Sequence, residues 1–195
     1  DMPLIARSNI FFQFRNLMYE NREELARLIT RDHGKTFPDA LAETLRGIET
    51  IDFACGLPVH MAGMMTPNVS TNVDAFTFRG PLGVVAAITP FNFPVMVPTW
   101  IYPIALMCGN TVILKPSSHT PGATQLQAEL WTQAGGPDGT FNIVYGGRDA
   151  VKAIVEEGTG RLLGLQIVGG AGSAKRIDTA ATAITAEMTV HDVLD

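Results

Sequence analysis

The sequence predicts an α/β fold: N-terminal helices, then a partial parallel sheet, then an α+β tail. Three observations carry this. The first sixty residues repeat their apolar side chains at helical spacing. From Gly83 to Tyr145, short apolar runs alternate with helix-length segments, the pattern of a parallel sheet with crossover helices. The last forty residues read as a strand, a glycine turn and an amphipathic helix. The boundaries expected are 1–80 for the helical region and a first strand, 81–150 for the partial sheet domain and 151–195 for the tail.

In the first helix, Ile10, Phe11, Phe14, Leu17, Met18, Leu25, Leu28 and Ile29 share one side between Ala6 and Thr30. Asn21 is placed to cap a new turn, with Glu23 and Glu24 near its positive end. Gly34 stops the helix by adopting the left-handed conformation that a helix end needs. Pro38-Asp39 opens a second helix to about Phe53, and Pro58 closes it. Ser70 to Arg79 alternates like a strand.

Beyond Pro81, Gly83 to Ile88 is a strand, and its Val84–Ile88 run fits burial on both faces. Pro94 to Met107 is helix-length, Thr111 to Leu114 a strand, Pro121 to Gln133 a helix and Phe141 to Tyr145 a strand.

Nearly half of the 195 residues are hydrophobic (46%), enough for a packed core. No uninterrupted apolar run reaches the roughly 20 residues of a membrane span. The N-terminus has no basic region followed by an apolar core, and residue 1 is not Met. Net charge is −5 with the basic residues scattered, which argues against nucleic acid as the main partner. Two cysteines, Cys55 and Cys108, are too few and too far apart for a disulfide framework or a zinc site. An intracellular, soluble protein is expected, with no metal and no membrane partner.

Three clusters are expected just after strands, where open α/β sheets bind ligands. In Thr89-Pro90-Phe91-Asn92-Phe93-Pro94, two prolines make a rigid loop that holds the Asn92 amide in one direction. Such an amide either donates to an oxyanion or caps the helix starting near Pro94. Leu114-Lys115-Pro116-Ser117-Ser118 suits a sugar diol or phosphate, or presents a solvated lysine. Gly135-Gly136-Pro137-Asp138-Gly139 lets backbone approach a flat ligand, or is an ordinary turn.

Together with Gly80-Pro-Leu-Gly-Val-Val, Cys108-Gly-Asn-Thr111 and Pro137-Asp-Gly-Thr-Phe-Asn142, these clusters resemble the aldehyde dehydrogenase superfamily in order and spacing over about residues 1–150. Asp32-His33-Gly34-Lys35-Thr36 is similar to the family's acidic-x-Gly-Lys turn. Pro90-Phe91-Asn92-Phe93-Pro94 and Pro121-Gly122-Ala123-Thr124 resemble its CoA-acylating methylmalonate-semialdehyde dehydrogenase branch.

The resemblance implies a Rossmann-like sheet, an NAD(P)-dependent oxidoreductase acting on a small aldehyde, CoA as co-substrate and a homo-oligomer in the cytoplasm or, in a eukaryote, the mitochondrial matrix. It implies that Asn92 is the oxyanion-hole amide, that Ile88, Thr89, Pro90 and Phe91 line the cofactor cleft and that Lys115 binds the adenosine ribose. Gly139 belongs to the third glycine cluster. Where the family commonly has a Glu for the ribose hydroxyls, this chain has Ser118, which leaves NAD and NADP both open. The family's nucleophilic Cys and general-base Glu lie far beyond these motifs, so a chain without them, a fragment or a chimera, is expected. Cys55 and Cys108 read as structural.

The tail, Gly160 to Gly169, Arg176 to Ile184 and Met188 to Asp195, resembles the C-terminal dimerisation domain of FAD-dependent pyridine nucleotide-disulfide oxidoreductases. Ile177, Ala180, Ala181 and Ile184 form the apolar face of its helix, and His191 starts a further one. Two other functions therefore stand beside the dehydrogenase: a non-catalytic nucleotide-binding or oligomerisation module, and a flavin-dependent disulfide oxidoreductase fragment.

Overall fold

A computed structural model describes residues 2–147 and 150. The expectations for the tail, including the helix of Ile177, Ala180, Ala181 and Ile184 and the place of His191, lie outside the described residues. Asp1–Tyr145 form one compact unit.

The N-terminal part is three helices: α1 (Leu4–Glu20), α2 (Arg22–His33) and α3 (Phe37–His60). The continuous helix expected from Ala6 to Thr30 breaks at Asn21. Its side chain donates back to the Leu17 carbonyl (2.8 Å) and does not accept from the first turn of α2. Asn21 thus closes α1, and Glu23 and Glu24 remain in the first turn of α2. Gly34 ends α2 at φ 82°, donating to the Thr30 carbonyl at 3.0 Å. Thr36 caps α3, and Pro38 sits in its first turn, where no N–H is needed. Pro58 does not close this helix, which runs on to His60. It falls in the last turn, and Ala54, Cys55 and Leu57 keep the buried face continuous.

Strands β1 (Met65–Ser70) and β2 (Val73–Phe76) form an antiparallel hairpin, with Met65 opposite Phe76. The alternating Ser70–Arg79 run thus covers only its second arm. The turn places Asn72 at φ 60°, a conformation that Asn tolerates.

The parallel sheet consists of β3 (Val84–Ile88), β4 (Thr111–Lys115) and β5 (Phe141–Ile143), in the order β3-β4-β5. Central β4 buries Val112 and Leu114 completely. The expected two-sided burial of β3 is corrected: Val84 and Ile88 are exposed and only Ala87 is buried. Among the described residues β3 pairs with β4 alone, at the edge of the described sheet.

The helix expected from Pro94 to Met107 is two short ones, α4 (Met96–Thr99) and α5 (Tyr102–Met107). Pro103 has no N–H to give the Thr99 carbonyl and its ring crowds that group, so the helix restarts. α6 (Pro121–Gln133) matches its predicted bounds.

One core joins helices and sheet. Phe11 and Phe14 on α1 meet Trp131 on α6, Phe14 also meets Tyr102 on α5, and Met18 belongs to the same core. Tyr102 in turn stacks on Phe141 of β5, with ring centroids 4.4 Å apart. Of these, Phe11, Phe14 and Met18 are almost completely buried, each contributing roughly 1.5–3 kcal/mol.

Candidate functional site

Parallel pairing sets the site. Ile88 is the register partner of Lys115, so the carboxyl ends of β3 and β4 lie side by side. The Thr89 N–H donates to the Lys115 carbonyl (3.1 Å), which extends the ladder by one bond. The Thr89–Pro94 loop and the Lys115–Ser118 loop therefore leave the sheet together. Open parallel sheets place ligands at this end.

Within the first loop, Thr89 is buried and its hydroxyl has no partner among the described residues. Phe91 is half-exposed, stacks on His33 (5.4 Å, 26° between planes) and meets the edge of His119 at 6.5 Å. Asn92 is exposed, and its side-chain amide has no hydrogen bond among the described residues. The helix-cap alternative does not hold, because α4 begins only at Met96, with Val95 in the cap position.

Three groups pin the backbone of this loop. Lys35 donates to the Asn92 carbonyl (2.9 Å) and stands 4.1 Å from the centre of the Phe93 ring. Glu43, buried on α3, pairs with Lys35 and accepts from the N–H groups of Val95 (3.0 Å) and Met96 (3.3 Å). From α6, Thr124 and Gln127 donate to the Pro94 carbonyl at 3.3 and 3.4 Å. The motif that contains Lys35 is legible in the sequence, whereas Glu43 and Gln127 belong to no motif there. Their signal is a polar residue inside an apolar helical stripe: Glu43 lies among Ala40, Thr44 and Gly47, all buried.

In the second loop, the Lys115 ammonium donates to the Pro116 carbonyl at 3.2 Å. Ser117 accepts from the His119 N–H (3.1 Å), and Ser118 is exposed beside it.

The third cluster stands apart, which corrects the expectation that it follows a strand. Gly135 to Gly139 follows α6 and leads into β5. It enters the sheet where β4 starts, since Val112 pairs with Phe141. Gly139 (φ 73°) is thus at the amino end of the sheet, about one strand length, roughly 13 Å, from Lys115.

Neither cysteine joins the site. Cys55 is on α3 twelve residues beyond Glu43, about 18 Å along the helix. Burial, with the Asp52 carboxylate nearby, pushes its thiol up to about 11. Cys108 caps the C-terminus of α5, at the amino end of β4. No group of three or more His, Cys, Asp or Glu among the described residues is placed to hold a metal ion.

A parallel sheet whose carboxyl-end loops gather an unpartnered amide, a lysine and hydroxyls is the framework of a ligand-binding α/β protein. The chain belongs to the aldehyde dehydrogenase family, whose model matches residues 1–193. It is 48% identical over 155 residues to malonate-semialdehyde dehydrogenase 2 of Geobacillus thermodenitrificans, an alignment covering 80% of this chain and 32% of that protein. The chain thus spans about a third of the length of the curated relatives it matches.

The crystal structure of methylmalonate-semialdehyde dehydrogenase from Oceanimonas doudoroffii superposes with a TM-score of 0.85 at 41% identity, covering 94% of this chain and 37% of that one. An NAD-dependent aldehyde dehydrogenase from Sinorhizobium meliloti gives 0.75 at 34% identity, over 79% and 31% of the two chains. An E. coli NADP-dependent enzyme gives 0.74 at 35% identity, over 77% and 31%.

Proposed function

We propose that this chain forms the nucleotide-binding part of an NAD(P)-dependent semialdehyde dehydrogenase, with malonate or methylmalonate semialdehyde as substrate and CoA as acyl acceptor. The observation that carries this is the Ile88–Lys115 register, which sets Asn92 and Lys115 at one end of the sheet. The substrate class follows the names of the relatives.

The cleft fits a nicotinamide dinucleotide in two respects. Among the described residues the buried Thr89 hydroxyl has no partner, and Phe91 in the same loop offers a half-exposed ring. When bound, the dinucleotide supplies the hydride acceptor. Ile88, Thr89, Pro90 and Phe91 line its cleft, Lys115 and Ser118 hold the adenosine ribose, and Asn92 donates its amide to the oxyanion formed when a nucleophile attacks the aldehyde carbon. The loop that presents Asn92 is already fixed, so little reorganisation accompanies charge development.

Titration of the 195-residue chain with NAD and with NADP tests the nucleotide half. Saturable binding that Lys115→Ala weakens supports it, and the absence of saturable binding by either nucleotide overturns it. By itself the chain is expected not to oxidise semialdehydes, since neither cysteine reaches the site. Turnover is therefore read in a hybrid in which residues 1–145 replace the matching segment of the Geobacillus relative. There Asn92→Ala should lower kcat by about 10²–10³-fold, and an unchanged kcat would sink the oxyanion role.

The hairpin favours an added role in association between copies. Every residue of β1 and β2 is exposed, including Met65, Val69, Val73 and Phe76, in a structure that shows one copy. Exposed large apolar side chains clustered on one hairpin point to an interface. Sedimentation of the chain with Val69→Lys and Phe76→Lys tests this, and an unchanged oligomeric state would refute it.

We further infer the division 1–80, 81–150 and 151–195, and a cytoplasmic or matrix location. For 151–195, the family match that runs to residue 193 supports continuation within the same family. The flavin-reductase reading of that segment would need bound flavin, visible as a yellow chromophore in the purified protein.

A further inference from the structure

Lys35 and Glu43 form an ion pair with side chains only 14% and 1% exposed. Burying two charges costs several kcal/mol per ion after relaxation, and an apolar pair often stabilises a fold as well or better. Stability alone is thus a weak reason for this pair. Its distinctive product is geometry. Pro90 and Pro94 have no N–H to give, so the loop between β3 and α4 has few backbone donors with which to fix itself. Glu43 takes the first two donors after Pro94, those of Val95 and Met96. Lys35 takes the Asn92 carbonyl and faces the Phe93 ring. The two ends of the segment Asn92–Met96 are thereby tied to one charge pair.

We propose that Lys35 and Glu43 are positioning residues for Asn92: their ion pair sets the backbone on both sides of the loop and so the direction of the Asn92 amide. The functional meaning rests on the reading of Asn92 as the oxyanion donor, but the positioning itself does not. The two residues have separable parts. Glu43→Gln keeps an oxygen for Val95 and Met96, yet turns an amide NH₂ toward the Lys35 ammonium, and two donors repel. Lys35 then leaves the Asn92 carbonyl. Glu43→Ala releases both ends.

The test is a nuclear magnetic resonance comparison of isotope-labelled 195-residue chains. It follows the Asn92 side-chain NH₂ pair and the exchange rates of the Val95 and Met96 amides. The Trp131 indole N–H, bonded to Thr140 at 3.2 Å, serves as the fold control. Lys35→Met and Glu43→Gln should shift and broaden the Asn92 pair, with Trp131 unmoved and with Val95 and Met96 still slow to exchange in Glu43→Gln. Glu43→Ala should cost about tenfold or more in protection at Val95 and Met96. Lys35→Arg should restore the Asn92 pair.

An Asn92 pair that keeps its position in Lys35→Met and Glu43→Gln, with Trp131 in place, would overturn the proposal whatever becomes of Glu43→Ala. A shifted pair together with an indifferent Asn92→Ala in the hybrid would remove the oxyanion reading and leave the positioning intact.

Discussion

Gly47 on α3 packs against Val95 so closely that a Cβ at Gly47 would stand 3.0 Å from Val95 Cγ1 and 3.1 Å from Thr99 Oγ1. Val95 and Thr99 are completely buried and have no room to retreat. Gly47→Val should therefore destabilise the protein by about 1–3 kcal/mol, the usual range for overpacking. Gly56, on the exposed side of the same helix, has nothing within 4 Å of a Cβ. Gly56→Ala should stabilise by about 0.8–1 kcal/mol through helix propensity alone. Denaturant midpoints for the two variants check both signs.

The bounds of α6 and the strands of the sheet followed from local periodicity and from the prolines and glycines around them. Asn92 and Lys115 were visible because each ends a motif beside a strand. Glu43 was not, because its partners are backbone N–H groups 52 and 53 residues away, and a backbone N–H has no sequence signature. Gln127 was hidden in the same way: it bonds the Pro94 carbonyl 33 residues away. The exposure of β3 escaped an apolar run, since periodicity gives no strand order. Gly139 and Lys115 both border strands in the sequence, and only the parallel register puts them at opposite ends of the sheet.

Tyr102 is fully buried, and its hydroxyl donates to Gln127 Oε1 at 3.0 Å. Desolvation raises its pKa well above the ordinary value. Below about pH 10 the phenol is protonated in folded and unfolded chains alike, so it adds no pH dependence. Above that, the unfolded chain ionises first and stability falls as pH rises toward the folded pKa. Denaturant midpoints should begin to fall above about pH 9, where the Cys55 thiol ionises first in the unfolded chain, and fall more steeply above about pH 10, with tyrosinate absorbance from Tyr102 appearing only on unfolding. In Tyr102→Phe the steeper part should shrink, leaving the contributions of Cys55 and of Tyr145, which burial and Asp32 also raise. The variant should lose about 1–3 kcal/mol at neutral pH because Gln127 Oε1 is stranded.

Asp32 ties α2 to α6 by accepting from the Gly122 N–H at 2.9 Å. Burial alone would raise its pKa, but hydrogen bonds from Arg31 and Gly122 outweigh it and hold the carboxyl below 3.8. A depressed carboxylate contributes stability above its unfolded value, and that contribution is lost as pH falls through the folded one. Asp32→Asn should cost about 1 kcal/mol at pH 7, a figure reduced because the Arg31 side chain is 66% exposed. The gap between variant and parent should close below about pH 4. A gap that stays constant with pH would mean that the charge contributes nothing.

Ser118 is exposed three residues after Lys115, in the turn that Ser117 closes onto the His119 N–H. If this loop holds the adenosine ribose, residue 118 faces the 2′ position, where NAD has a hydroxyl and NADP a phosphate. Ser118→Glu would set a carboxylate against that phosphate, and juxtaposed like charges cost several kcal/mol. NADP affinity should fall at least about tenfold by calorimetry, while NAD affinity holds or improves because the carboxylate accepts from ribose hydroxyls. Raising salt from 0.1 M to 1 M shortens the screening length from about 10 Å to about 3 Å, so the discrimination should narrow. Equal losses for both nucleotides would place Ser118 away from the ribose, whereas unequal losses that ignore salt would point to a steric effect of the longer side chain.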